Sequence, residues 1–269
     1  MGWDLEAWKP AAAVVGFVLF WLWESFSPFR RFECRGRHLG RNLSIVAVNW
    51  MLAWVAPFYL LNLAAAEASQ QTLMGLLHRA AASGWAAFIV GFLALDLWAY
   101  WWHRFSHVAP LLWRFHRMHH SDPTMDVSTA TRFHVGELAL SFVLRAALIF
   151  LIGVPVGAIF AYDAAQLLCT QFHHANIMLP AAADRALSWL LVSPNMHKLH
   201  HSVEQAEMDS NFTSVLTLWD RLFGTYRQRE DCAAVAYGVP GMQDEAHQSV
   251  VGMLGTPLEP EAAVDRATG

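Results

Sequence analysis

Long apolar stretches alternate with shorter polar segments along this chain. The apolar stretches cover residues 8–29, 43–66, 84–102 and 138–172. The first three are close to the roughly 20 residues that an α-helix needs to cross a bilayer. The fourth is longer and contains Gly and Pro within residues 153–157, which favours a helical hairpin that enters and leaves the membrane. The pattern predicts an all-α fold, an integral-membrane bundle of about four to five membrane helices.

A basic loop follows the first apolar stretch and predicts the orientation of the bundle. Loops rich in Arg stay on the cytoplasmic side, so the polar segments 103–136 and 179–269 are expected on that side too, as a His-rich cap. A signal peptide is the alternative for the first stretch, but Asp4 and Glu6 precede it and no small-residue cleavage pattern follows. The arginines of the loop are Arg30, Arg31, Arg35, Arg37 and Arg41.

The composition fits a single membrane domain over residues 1–269. Hydrophobic residues make up 55% of the chain and charged residues 15%, and the 13 Trp residues suit a bilayer interface. A net charge of −4 offers no basic surface, so nucleic acid is not an expected partner. Cys34, Cys169 and Cys232 are widely spaced, which predicts neither a disulfide framework nor a thiolate metal site. The tail 229–269 is expected to be loosely structured.

Histidine is the unusual residue of this chain, with 14 copies, and eight of them fall in three short motifs. If the motifs are helical, their spacings of three and four residues place the imidazoles of each motif on one face. Imidazole is a good ligand for Fe, Zn, Cu and Ni, and eight imidazoles exceed what one ion can coordinate, so the motifs predict two metal ions. The motifs are His103-x-x-x-His107, His116-x-x-His119-His120 and His197-x-x-His200-His201.

Other classes of metal site fit the motifs less well. Carboxylate-bridged di-iron bundles use Glu-x-x-His pairs, and this chain has none. A zinc hydrolase would need an HExxH motif with its Glu base, which is also absent. Haem with two His ligands would need pairs buried in opposing spans, whereas these motifs lie in polar segments. A site made of histidines is the interpretation that remains.

The three motifs and their surroundings resemble the fatty acid hydroxylase/sterol desaturase superfamily. The resemblance covers roughly residues 96–225 and implies a non-haem di-iron centre, held by histidines at the cytoplasmic end of a helical membrane bundle. The segments that carry it, besides the motifs, include Asp96, Tyr100, Arg132–Glu137, His174-Ala175-Asn176, Ser193-Pro194-Asn195, Asn211-Phe212 and Leu218–Thr225.

The resemblance also implies roles for particular residues. His173 neighbours His174, and on a helix the two side chains point about 100° apart, so both are not expected to bind equally well; His174 fits the position in the family. His134 is either a ligand or a hydrogen-bond partner of one, and Glu137, Asp96, Asn195 and Asp220 are candidates to orient ligands. The implied ligands are His103, His107, His116, His119, His120, His174, His197, His200 and His201.

The activity that the resemblance implies is O2-dependent oxidation of a C–H bond in a membrane lipid, of sterol or fatty-acyl type, by hydroxylation or desaturation. The cofactors would be two Fe ions, with O2 as co-substrate. No flavin, Rossmann or iron–sulfur fingerprint is visible, so electrons are expected from a separate reductase, cytochrome or ferredoxin. The alternatives are a membrane metal-binding or transport protein without oxygenase activity, and a relative that binds lipid without catalysis.

Overall fold

The structure, a computed structural model, describes residues 5–55 and 57–260. This part of the chain contains no strand, only the isolated bridges Leu191–Leu216 and Ser202–Tyr237. Three short 3₁₀ helices lie at Val127–Thr131, Cys232–Ala234 and Thr256–Leu258. The α-helices are α1 (Leu5–Phe26), α2 (Arg35–Val55), α3 (Phe58–Thr72), α4 (Leu76–Arg79), α5 (Gly84–Val108), α6 (Pro110–His120), α7 (Val135–Ile152), α8 (Val156–His174), α9 (Ala181–Leu187), α10 (Pro194–His200), α11 (Gln205–Met208), α12 (Leu218–Leu222) and α13 (Val250–Gly255).

Helices α7 and α8 form a hairpin that packs against α3 and α5. The chain turns at Gly153, whose φ of +79° lies in the left-handed region that favours glycine. The turn and the loop before α4 approach closely, because a Cβ at Gly75 would lie 2.5 Å from the Gly153 Cα. Leu95, Ile149 and Tyr162 are fully or almost fully buried in the core between these helices. The turn coincides with the Gly- and Pro-containing interruption in the sequence.

The prediction of one continuous helix over residues 43–66 is wrong. Helix α2 ends at Val55 and α3 begins at Phe58, with Pro57 as the residue before α3. Proline has no backbone N–H to donate and its ring clashes with the preceding turn of a helix, so it ends helices. The apolar pattern continues across the break because both helices carry apolar side chains, and hydropathy alone does not register the interruption.

Two helices of the described chain are long and apolar enough to cross a membrane, Gly84–Val108 and Val135–Ile152. Ala11–Phe26 is a shorter apolar helix. In the most apolar window of α7 only 17% of the residues are buried, whereas a core helix of a soluble protein would be mostly covered. An apolar surface that no protein element covers favours contact with lipid, so these helices support membrane association.

The segment after Gln228 is packed against the rest of the protein as far as Pro260, unlike the loosely structured tail expected from its composition. Met253 of α13 is fully buried beside Ile45 and Met118. Arg117 of α6 donates to the carbonyl oxygens of Thr256 and Glu259 at 2.5 and 2.7 Å. A few apolar side chains and backbone carbonyls therefore order a segment whose average composition is polar. Residues 261–269 lie outside the described part.

Candidate metal centre

Four helices bring the histidines together at one end of the bundle. His103 and His107 lie in the last turns of α5, and a short break at Ala109 leads into α6 with Pro110 at its first position. Proline suits that position because its missing N–H would be unpaired there in any case. Helix α8 contributes His174 at its last position. Helix α10 is capped by the Ser193 hydroxyl, which accepts a hydrogen bond from the Met196 N–H at 3.3 Å.

The ring nitrogens of nine histidines form two adjacent groups, and within each group the candidate ligand atoms lie within 4.8 Å of one another. All nine are buried except His103, which is half-buried. We call them the five-histidine group and the four-histidine group. The first contains His103, His107, His116, His120 and His200; the second contains His119, His174, His197 and His201. These are the nine residues for which the sequence resemblance implied a ligand role.

Each HxxHH motif is divided between the two groups, and the two motifs divide in opposite ways. His116 and His120 join the five-histidine group and His119 joins the other. In the third motif His200 joins the five-histidine group, whereas His197 and His201 join the four-histidine group. Residues four apart share a helix face, and adjacent residues point about 100° apart. A doubled histidine can therefore contribute one imidazole to each of two neighbouring sites.

The ring nitrogens within each group converge on a common point. The Nε2 atoms of His103 and His200 lie 2.8 Å apart. In the other group the Nε2 atom of His174 lies 3.1 Å from that of His119 and 2.9 Å from that of His197. Two or more Nε2 atoms that face each other at this distance each need a partner for their lone pair, and a shared cation would satisfy all of them.

The electrostatics of the site favour neutral imidazoles with lone pairs available for a metal. Burial, followed by the neighbouring imidazoles, holds the pKa of His120, His197 and His201 well below the ordinary value for histidine. Both ring nitrogens of His120, and Nε2 of His116, are buried without a hydrogen-bond partner among the described residues. Unsatisfied buried nitrogens cost about 1 to 3 kcal/mol each. These residues fit a pair of bound metal ions.

Hydrogen bonds at Nδ1 fix the orientation of five of the nine rings. His116 Nδ1 lies 2.8 Å from Glu137 Oε1, and His107 Nδ1 lies 3.3 Å from Asp209 Oδ1. A ring that donates from Nδ1 presents the lone pair of Nε2, which is how metal-binding histidines are commonly held. The other three rings donate to backbone carbonyl oxygens: His103 to Phe212 at 2.7 Å, His200 to Ser210 at 2.7 Å and His174 to Thr170 at 2.8 Å.

The loop 209–213 supplies three of these five partners and is itself held in an unusual conformation. Asn211 has a φ of +54°, and its side chain donates to the carbonyl oxygens of Met196 and Arg227, both at 3.0 Å. The carboxylate of Asp220 accepts hydrogen bonds from the backbone N–H groups of Phe212 and Thr213 at 2.8 and 3.1 Å. Asp220 therefore acts on the histidines through this loop and not by direct contact.

The remaining predicted residues lie near the centre without joining either group. His173 packs its ring against that of His197, with centroids 4.0 Å apart, but its ring nitrogens belong to neither group. His134 caps α7, since its Nδ1 accepts from the Gly136 N–H at 3.0 Å. Asp96 accepts from the Trp219 indole N–H at 2.9 Å, and Asn195 accepts from Lys198 Nζ at 3.5 Å. The described contacts of these four side chains do not include a hydrogen bond to a grouped histidine.

A cavity of about 390 Å³ leads to the histidines from between α5, α7 and α8. Both groups contribute to its wall, since His103 and His116 belong to one and His119, His174 and His197 to the other. Most of the wall is apolar. Its larger apolar side chains are Trp98, Trp102, Phe133, Leu138, Phe142, Tyr162 and Leu167.

The family model described as "Fatty acid hydroxylase" matches residues 88–225 of the chain. The match covers more than half of the 269 residues. The chain belongs to the fatty acid hydroxylase family. The matched segment includes all nine grouped histidines, Glu137 and the loop 209–213. Helices α1 to α3 and the packed segment after Gln228 lie outside it.

Curated relatives of this family member include lipid-modifying oxygenases. An alkylglycerol monooxygenase from Danio rerio is 32% identical over 157 residues, 58% of this chain and 33% of the relative. The ornithine lipid hydroxylase OlsE from Rhizobium tropici is 27% identical over 153 residues, 57% of this chain and 45% of the relative. The chain therefore spans a third to a little under half of the length of these relatives. No solved structure matches it.

Proposed function

We propose that this fatty acid hydroxylase family member is a membrane-associated monooxygenase that hydroxylates a C–H position of a lipid with two histidine-bound iron ions. The observation that carries the proposal is the cavity whose apolar wall is continuous with both histidine groups. Apolar pockets with a few convergent polar groups are the usual form of small-molecule sites. An alkyl chain in this cavity would lie against the rings of both groups, where an oxidising centre can reach it.

The protein's own residues would bind the ions, fix their ligands and position the substrate. The nine grouped histidines would hold the two ions, and Glu137, Asp209 and the loop carbonyls would keep the rings in place. Phe133 stacks on His119, with ring centroids 4.4 Å apart, and forms part of the cavity wall. An apolar wall beside the centre would exclude water and hold one substrate carbon near the reacting oxygen. Holding reactants in the correct geometry lowers the barrier to reaction.

Bound iron would supply the reductive activation of O2 that attack on an unactivated C–H bond requires. In the balanced reaction one oxygen atom enters the C–H bond to give an alcohol. The other oxygen is reduced to water with two electrons and two protons. The electrons come from an external donor, a reductase, cytochrome or ferredoxin. The names of the relatives, a monooxygenase and a hydroxylase, favour hydroxylation over desaturation.

The test is lipid mass spectrometry on cells that contain or lack the gene, grown under matched oxygen. We expect a lipid that gains one oxygen only when the intact protein is present. The His200→Ala variant should lose this product, because it removes a nitrogen from the five-histidine group. His78→Ala is a matched control, since His78 lies beside the Gly153 turn and outside both groups.

Two outcomes would count against the proposal. A product that has lost two hydrogens, without any oxygenated lipid, would assign desaturation in place of hydroxylation. Purified protein that holds two metal ions while no lipid changes in the cells would favour the metal-binding or transport alternative. A transporter places its ligands along a path through the membrane, so labelled iron entering vesicles that contain the protein would support that alternative directly.

A further inference from the structure

Two charged side chains meet inside the apolar hairpin. Arg145 of α7 donates to the carboxylate of Asp163 of α8 at 2.5 Å, and the guanidinium lies 5.7 Å from the centre of the Tyr162 ring. Arg145 is only 8% exposed, in one of the two helices apolar enough to cross a membrane. Ionisable residues in such helices are costly, and they commonly mark a site that binds a polar group. The pair needs an explanation beyond packing.

The ion pair lines the same cavity as the histidines but lies well away from them. Glu137, which contacts His116, precedes Arg145 by eight residues on α7, a rise of about 12 Å along the axis. Asp163 precedes His174 by eleven residues on α8, a rise of about 16 Å. The cavity therefore extends from the candidate metal centre at one end to the ion pair at the other.

Further polar side chains line the cavity between these two ends. Ser141 lies one helical turn from both Glu137 and Arg145 on α7, and Gln166 lies one turn from Asp163 on α8. Both line the cavity and neither side chain makes a hydrogen bond within the described residues. The wall formed by α7 and α8 thus carries a row of polar groups, whereas α5 contributes apolar Trp98, Ala99 and Trp102.

The charges of the pair indicate what kind of group it would bind. Arg145 and Asp163 neutralise each other, so an anion would gain attraction from the guanidinium and lose it to the carboxylate. An uncharged hydroxyl is not repelled by the carboxylate. It can accept a hydrogen bond from the guanidinium and donate one to the carboxylate. Hydrogen bonds to charged groups are stronger than those between neutral groups, so this pair would favour a hydroxylated lipid over an alkane.

We propose that Arg145 and Asp163 form a subsite for an uncharged hydroxyl group of the lipid substrate, at the end of the cavity opposite the histidines. The proposal rests on the proposed function, since it assigns the cavity to the substrate. It names the substrate class as a lipid with a free hydroxyl separated by an alkyl segment from the carbon that reacts. Ser141 and Gln166 would offer secondary contacts to oxygen atoms along that segment.

The test is competitive photo-crosslinking on the purified full-length protein, which requires neither oxygen nor turnover. The probe is hexadecanol with a diazirine in its alkyl chain, and the competitors are hexadecanol, hexadecane and hexadecanoate. We expect hexadecanol to compete at least about tenfold better than the other two, as hydrogen bonds to charged groups would give. The Arg145→Leu/Asp163→Leu variant should lose this preference and still bind the probe, since an apolar pair preserves packing.

Two further variants keep the test decisive. Arg145→Asp/Asp163→Arg retains an ion pair and should retain part of the preference, which covers the case in which the leucine pair fails to fold. Arg37→Leu/Glu245→Leu removes an exposed ion pair of 3.8 Å and should leave the preference unchanged. Equal competition by all three compounds, strongest competition by hexadecanoate, or an intact preference in the leucine pair would overturn the subsite. An intact preference in a protein that oxidises no lipid would overturn the proposed function alone.

Discussion

The orientation of five of the nine grouped imidazoles is set by a hydrogen-bond partner at Nδ1, so that Nε2 faces the other histidines of the group. Where that partner is a side chain, as for His116 and His107, it is a carboxylate that strengthens the ligand as well as aligning it. Where it is a backbone carbonyl, as for His103 and His200, alignment depends on the path of a loop. The two kinds of support respond differently to mutation.

Glu137→Ala is expected to weaken metal binding by about 10- to 100-fold, the usual effect of removing a carboxylate that orients a ligating histidine. The cause is the loss of the 2.8 Å contact with His116 Nδ1. Glu137→Gln keeps an acceptor oxygen, so its metal affinity should lie between that of Glu137→Ala and that of the unmodified protein. The measurement is metal content after dialysis against graded chelator, with Glu67→Gln on the exposed face of α3 as the control. Equal metal retention in Glu137→Ala and the unmodified protein would show that Glu137 does not support metal binding.

His174→Ala and His173→Ala are neighbours with opposite expected outcomes. His174 contacts two rings of the four-histidine group through Nε2, whereas His173 lies outside both groups. We expect His174→Ala to lose one of the two metal ions and His173→Ala to retain both. Metal analysis on purified protein measures this directly. Loss of an ion from His173→Ala alone would mean that the two adjacent residues have been assigned the wrong way round.

At the scale of the elements, short helices do most of the positioning, and the sequence predicted them through spacing. The sequence analysis expected the HxxxH and HxxHH motifs, if helical, to place their imidazoles on one face, and the structure places these motifs at the ends of α5, α6 and α10. The grouping of the nitrogens follows from the same periodicity. The apolar pattern also located the α7–α8 turn, since Gly and Pro interrupt it at 153–157.

Other parts of the site have no signature in the sequence. The partners of His103 and His200 are the carbonyl oxygens of Phe212 and Ser210, and every residue has such a carbonyl. Their placement depends on the left-handed conformation of Asn211 and on Asp220, which contacts no grouped histidine. Hydropathy likewise could not reveal the break at Pro57 or the packing of residues 229–260. The break follows locally from Pro57, whereas the loop around Asn211 and the packing of residues 229–260 depend on long-range contacts, which a local pattern does not encode.

Gly153→Ala should destabilise the hairpin by about 1 to 3 kcal/mol, the cost of a left-handed backbone with a side chain. The added Cβ would also lie 2.9 Å from the His78 ring. Gly157→Ala is the matched control, because Gly157 is an exposed helical glycine of α8 with nothing within 4 Å of a new Cβ. That change should be neutral or stabilising by up to about 1 kcal/mol. Thermal unfolding in detergent compares the two, and equal unfolding temperatures would contradict the assigned turn.

Across the whole molecule, a buried polar network connects the N-terminal helices to the segments that carry the histidines. Glu24 of α1 accepts from the backbone N–H groups of Val127 and Asn176 at 3.1 and 2.8 Å. His38 of α2 lies 2.8 Å from an Asp122 oxygen and 3.1 Å from Asp126. The contacted residues lie in the segments that follow α6 and α8. Helices α1 and α2 therefore hold both sides of the candidate centre, although these two helices lie outside the family match.

The charge on His38 makes the stability of this buried polar network sensitive to alkaline pH. Burial lowers the pKa of His38, but the carboxylates of Asp122 and Asp126 outweigh burial and raise that pKa to about 10. Because the folded value exceeds the ordinary value of 6.5, the stabilisation is complete below pH 6.5 and is lost as the pH rises through about 10. The unfolding temperature of the intact protein should therefore fall across this window.

His38→Gln tests whether this one residue causes the fall. The substitution removes the charged ring that contacts both buried carboxylates, Asp122 and Asp126, which costs about 3 to 5 kcal/mol when the histidine is charged. The cost should be largest near pH 6.5 and should shrink towards pH 10, where the unmodified protein has lost the same charge. The unfolding temperatures of the two proteins are thus expected to converge as the pH rises. A constant difference from pH 6.5 to 10 would show that His38 acts through packing, and that the N-terminal helices are held to the site without its charge.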